Sequence, residues 1–140
     1  MRPALQIKMQ KPGALLALIA VLMTTAPAAA ERISNPIAEF SALDKVTGQI
    51  TTRDVAIDAT TTFGTLTLRP RICYSSPATE EPKTTSFVEI DEAEVNGVFN
   101  RVFTGWMFAE SPALNGLEHP VYDVWLSGCK NPEADGADSN

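Results

Sequence analysis

Between Phe63 and Tyr74 the chain alternates with period two. Leu66, Leu68, Pro70, Ile72 and Tyr74 fall on one side, and Thr65, Thr67, Arg69, Arg71 and Cys73 on the other. A strand with one buried face has this pattern, and a helix with its 3.6-residue turn does not. Threonine and branched aliphatic side chains also suit a pleated, half-covered surface. Pro70 has no N–H to give to a ladder, which predicts a sheet edge or a bulge at that point.

Five further stretches read as strands. Leu43–Val46 leads through a Thr47-Gly48 turn into a return strand ending at Ile57, with Val55 and Ile57 on one face. Gly48 supplies the positive φ that such a turn needs. Ser86–Ile90 follows a loop over residues 75–85, and Asp91–Glu94 reads as a solvated acidic run before the hairpin-type turn Asn96-Gly97. Asn100–Ala109 is apolar on both sides, which predicts a central strand covered on both faces. Val121–Leu126 closes the set after a loop over residues 111–120, with Tyr122, Val124 and Leu126 on one face. About six short strands separated by turn signals predict an all-β domain, a small antiparallel sandwich or a partly open barrel. The expected division is a leader (1–30), an N-terminal arm (31–41), a β domain (42–130) and a disordered acidic tail (131–140).

The leader has the three regions of a cleavable export signal. Arg2, Lys8 and Lys11 precede an apolar run from Gly13 to Met23, and Ala28-Ala29-Ala30 offers small residues for a cut after Ala30. The apolar run is shorter than the roughly 20 residues a spanning helix needs. The expected location is therefore the periplasm, with no membrane span left after cleavage. There, the only two cysteines, Cys73 and Cys129, are expected to form one structural disulfide rather than a redox or metal-binding pair. Closing a loop of that length removes chain entropy worth up to about 4 kcal/mol.

Cleavage removes three basic residues and no acidic ones, leaving 8 Lys and Arg against 17 Asp and Glu, a net charge of −9. Such a surface repels nucleic acid and anionic headgroups and favours a basic partner or cations. The sequence has no phosphate-cradling glycine loop and no dinucleotide fingerprint.

Three groups of residues are candidates for chemistry or binding. His119, the one histidine, follows Glu118 and precedes Asp123 by four positions. A hydrolytic or metal site there would need Glu118, Asp123 or Ser111 to converge on the imidazole. The simpler expectation is a hydrogen-bonded start to the last strand. Trp106, Phe108, Tyr122 and Trp125 concentrate the aromatic area and are expected mostly in the core, with Trp106 and Trp125 as alternative binding platforms and Trp125 the one best placed to reach a surface. Arg69 and Arg71 would clamp an anion, or pair across strands with Glu89 or Asp91. Neither a catalytic set nor a cofactor or metal is expected.

Several of these segments together resemble one family. They are Ala42–Gly48, Phe63-Gly64-Thr65-Leu66, Pro70–Tyr74, Gly105–Ala109 and Glu118–Trp125, closed by Cys129. The chain is similar, over residues 42–129, to the short exported alphaproteobacterial proteins grouped as domain of unknown function two-one-five-five. The resemblance implies a periplasmic setting in a Gram-negative bacterium and brings no catalytic residues with it. The expected function is non-enzymatic: binding or bracing another envelope component, for instance an inner-membrane respiratory complex. A small-ligand or glycan-binding module is the alternative, and a His119-centred enzyme the third reading.

Overall fold

A computed structural model describes residues 3–4 and 29–137. The expected export signal lies almost wholly outside the described residues. Among the described residues nine strands form two antiparallel sheets: β1 (Ile33–Ser34), β2 (Ile37–Asp44), β3 (Ile50–Ala56), β4 (Thr61–Phe63), β5 (Leu66–Ser75), β6 (Thr85–Ala93), β7 (Phe99–Phe108), β8 (Leu117–Glu118) and β9 (Tyr122–Lys130). A five-stranded sheet runs β1-β5-β6-β7, with β4 also paired to β5, and a four-stranded sheet runs β3-β2-β9-β8. The sheets face each other without closing into a barrel. Five of the six longer strands match predicted ones; β2 shares only Leu43 and Asp44 with the strand predicted at Leu43–Val46, and β1, β4 and β8 are additions of two or three residues.

The core between the sheets is aliphatic. Leu66, Leu68, Val88, Ile90 and Met107 from one sheet meet Ala38, Phe40, Val124 and Leu126 from the other, all buried. Cys73 and Cys129 are bonded, with their Cα atoms 5.8 Å apart. The bridge joins the ends of β5 and β9, one strand from each sheet, as expected.

The N-terminal arm is a correction. Residues 37–42 form most of β2, an inner strand hydrogen-bonded to both β3 and β9. Ala38, Phe40 and Ala42 point into the core, but two of the three are too small to stand out as a hydrophobic period. Only Asn35-Pro36 interrupts the chain, and it marks the passage from one sheet to the other. Asn35 is buried there; its backbone N–H donates to Cys73 O at 2.9 Å, and its amide reaches Ser75 Oγ at 3.0 Å.

Pro70 marks a real irregularity. The β5–β6 register shifts between Pro70 and Ile72, with Pro70 in the stretch left between the β4 and β1 pairings. The shift reverses the phase of the strand. Cys73 therefore turns into the core beside Leu66, Leu68 and Pro70, while Ile72 and Tyr74 are only half-buried. The predicted uninterrupted face ending in Tyr74 is corrected accordingly.

Three other expectations change. The strand β7 lies at an edge, not at the centre, and Met107 alone on it is fully buried. Its aromatic outer side packs along the sheet surface: Trp106 meets Phe87 edge-on at 5.5 Å and stacks with Tyr74 at 6.4 Å. Such contacts stabilise aromatic rings without a covering layer. Asp91 and Glu92 belong to β6 rather than to a free acidic run, because Arg101 pairs with Asp91 across the ladder. The acidic tail, expected without structure, begins with a short exposed helix, α1 (Pro132–Ala137), that has Glu133 and Asp135 in its first turn, where the helix dipole favours acids.

Cys73→Ser and Cys129→Ser are expected to lower thermal stability alike, by up to about 4 kcal/mol. Melting the unaltered protein with and without reductant checks this, and coincident curves would remove the bridge from the account.

Candidate functional site

The end of the sandwich opposite the disulfide is built from the predicted His119 segment. His119 sits in the tight turn between β8 and β9, where its backbone N–H donates to Tyr122 O at 2.9 Å. The side chain is 12% exposed. Its Nδ1 accepts the Val121 backbone N–H at 3.1 Å, so the ring proton is on Nε2. That proton is donated to Glu92 Oε1 at 2.8 Å. Glu92 belongs to β6, so the hydrogen bond ties the four-stranded sheet to the five-stranded one.

The residues considered with His119 do not converge on it. Glu118 is exposed and pairs in the ladder with Asp123. Asp123 faces Lys45 Nζ at 2.6 Å. Ser111 lies beyond the far end of β7, with its N–H on Phe108 O at 3.3 Å. Both imidazole nitrogens are thus committed to structural bonds. Among the described residues no group of three or more His, Cys, Asp or Glu side chains is placed to hold a metal ion.

Two further contacts brace this end. Tyr122 packs closely against Gly64, whose positive φ of 58° already suits glycine. A methyl group at Gly64 would collide with the Tyr122 hydroxyl and ring. The ring of His119 stacks on Tyr122 at 6.2 Å. The Phe63-Gly64 and Glu118–Trp125 segments, distant in sequence, are therefore two halves of one clamp.

Two hairpin tips project from the same end. In the β2–β3 turn Asp44 caps the Val46 and Thr47 N–H groups, and those hydrogen bonds hold its carboxyl below the usual range. Val46 and Ile50 are exposed there, and Val95, Val98 and Phe99 are exposed at the β6–β7 tip. These are five of the seven large hydrophobic side chains exposed among the described residues.

The other candidates are dispersed. Trp106 is on the outer face of the five-stranded sheet and Trp125, opposite Ser41, on the outer face of the other sheet. Both are half-buried, as are Phe108 and Tyr122, so the aromatic residues predicted for the core lie around it. Arg71 pairs with Asp58 at 3.2 Å, while Glu89, opposite Arg69 in the ladder, pairs with Arg101 at 3.2 Å. The two arginines therefore do not assemble into a clamp. A groove of about 570 Å³ opens at the disulfide end and a polar recess of about 170 Å³ beside Gly64; neither is lined by Arg69, Arg71, Trp106 or Trp125.

A two-sheet, disulfide-closed β domain with a histidine–carboxylate clamp is thus the class of molecule defined here. The chain belongs to the family described as "Uncharacterized protein conserved in bacteria (DUF2155)", whose match covers residues 38–129. The matched stretch starts within β2 and ends on Cys129, so it spans both sheets and the bridge. No curated protein and no solved structure matches.

Glu92 was missed in the sequence because it lies 27 positions from His119, inside what read as a solvent-facing acidic run. The two are expected to be coupled. His119→Ala and Glu92→Gln should each leave the fold intact, and a double-mutant cycle read by thermal melting should give about 1 kcal/mol. Strict additivity would show that the hydrogen bond contributes nothing. Gly64→Ala should cost more, at least about 2 kcal/mol, since left-handed backbone strain adds to the overlap with Tyr122. A melting point equal to that of the unaltered protein would contradict that packing.

Proposed function

We propose that this protein is a non-enzymatic binding protein of the bacterial envelope that docks onto a protein partner through the braced end bearing the two hairpin tips. The observation behind the reading is the collection of Val46, Ile50, Val95, Val98 and Phe99 at one end. Exposed large hydrophobics scattered singly need no explanation, whereas their concentration at one place points to contact with another surface.

The rigidity of that end supports the same reading. One tip belongs to each sheet, and the Glu92–His119 hydrogen bond and the Tyr122–Gly64 contact hold the sheets together between them. Preorganised contact points lose less freedom on association than mobile ones. The acidic composition disfavours an anionic bilayer as the contacting surface and leaves a protein, with an inner-membrane respiratory complex one possible host.

The test is affinity isolation of the tagged, exported protein from detergent-solubilised envelopes. Stoichiometric recovery of a defined complex is expected. Val95→Asp with Phe99→Ser, and separately Val46→Asp with Ile50→Thr, should lower that recovery by roughly tenfold, while exposed positions leave stability within about 0.5 kcal/mol. Undiminished recovery with both pairs would refute docking at this end.

A further inference from the structure

The opposite end has a different chemistry. We infer that the groove beside the disulfide is a second binding site, which receives an extended, arginine-bearing segment of a basic protein. Its volume of about 570 Å³ falls within the range of sites that enclose a few side chains. Tyr74 and Phe108 contribute its aromatic surface and Leu114, which is exposed, adds an apolar wall. Tyr74 also stacks on Trp106, so the groove continues the aromatic outer face of the five-stranded sheet.

Charge selects the occupant. Glu31, Glu80, Glu81 and Glu110 line the groove, against Arg32 and Lys83. Glu110 is held by the Thr84 N–H at 2.8 Å. Glu31, Glu80 and Glu81 form no ion pair among the described residues, which leaves their carboxylates available to a cationic guest.

The chain itself indicates which cation fits. The Arg32 guanidinium lies 6.0 Å from the centre of the Tyr74 ring. A planar guanidinium on an aromatic face, with carboxylates at its edge, satisfies both its charge and its donors. Arg32 is therefore an internal occupant of the position a partner's arginine would take, and the two compete. The form of the ligand follows from the adjoining strand. With only two residues, β1 is the outermost strand on its side of the sheet among the described residues. An extended backbone can run along such an edge while its side chains enter the groove.

The site is separate from the hairpin tips, so it stands or falls independently of docking there. Calorimetric titration of the exported mature protein with a blocked pentapeptide bearing arginine at its second and fourth positions tests it, with the citrulline counterpart as the uncharged control. The arginine peptide should bind about tenfold more tightly than the control, and added salt should weaken it. Glu80→Gln with Glu81→Gln should reduce its affinity by about tenfold with melting unchanged. Arg32→Ala should tighten binding several-fold by vacating the Tyr74 ring. Amide shifts on peptide addition should map to Tyr74 and Phe108. Equal affinity for the two peptides, no binding of either, no change with Arg32→Ala, or shifts confined to Val95–Phe99 would each overturn the assignment.

Discussion

The two sheets of this domain share no strand, and besides the crossings of the chain itself they are fastened covalently by the Cys73–Cys129 bond. Each sheet satisfies its own ladder, so the sandwich depends on side-chain burial and on ties between the layers. An aliphatic core in a domain of about 100 residues gives a thin margin of stability. The bond reduces the entropy of the unfolded chain, and it also holds the last described strand, β9. Cys73 occupies a core position, made available by the register shift at Pro70–Ile72, and the half-buried Cys129 packs against that core. The irregularity in β5 is therefore what directs Cys73 toward Cys129. Without the phase change, Cys73 would lie on the outer side with Arg69.

The far end solves the same problem with weaker forces. There a histidine donates to a carboxylate across the layers, and a tyrosine packs against a glycine in left-handed conformation. Hydrogen bonds of this kind contribute about 1 kcal/mol net. They impose geometry more than they supply stability. The covalent and the noncovalent ties lie at opposite ends of β5 and β9, so the two sheets are fixed at two separated points. Such a body resists shear between its layers.

How much of this could be read from the chain depended on the range of the interaction. The alternation from Leu66 to Pro70 reported a strand because its determinants are nearest neighbours, whereas the turn at Gly64-Thr65, which sets Phe63 apart in β4, corrects the predicted start at Phe63. The Thr47-Gly48 turn was legible for the same reason, and Gly48 has the positive φ of 74° that the turn requires. The cysteine pair was legible from composition alone. By contrast, β2 was concealed because its buried face is Ala38, Phe40 and Ala42, where alanine gives almost no hydrophobic contrast. The Asn100–Ala109 segment misled in the other direction. Its two apolar faces suggested a covered strand, but one face is stabilised by ring-on-ring contacts at the surface. Its edge position depends on strand order, which local pattern does not encode. The partner of His119 was hidden by distance: Glu118 and Asp123 were the near acids, and Glu92 reaches the ring only once the sheets are stacked.

The arrangement separates two surfaces of unlike character on one rigid body. Apolar hairpin tips flank the histidine end, and an aromatic, carboxylate-rimmed groove opens at the disulfide end. Hydrophobic tips favour a lasting contact that salt does not screen. A groove that recognises guanidinium through charge is screened by salt and exchanges more readily. A domain fixed at both ends of its two sheets keeps the distance between those surfaces constant. In the proposed docking by the tips, that constancy would hold the groove at a set height and orientation above the docking surface, where a basic segment could reach it.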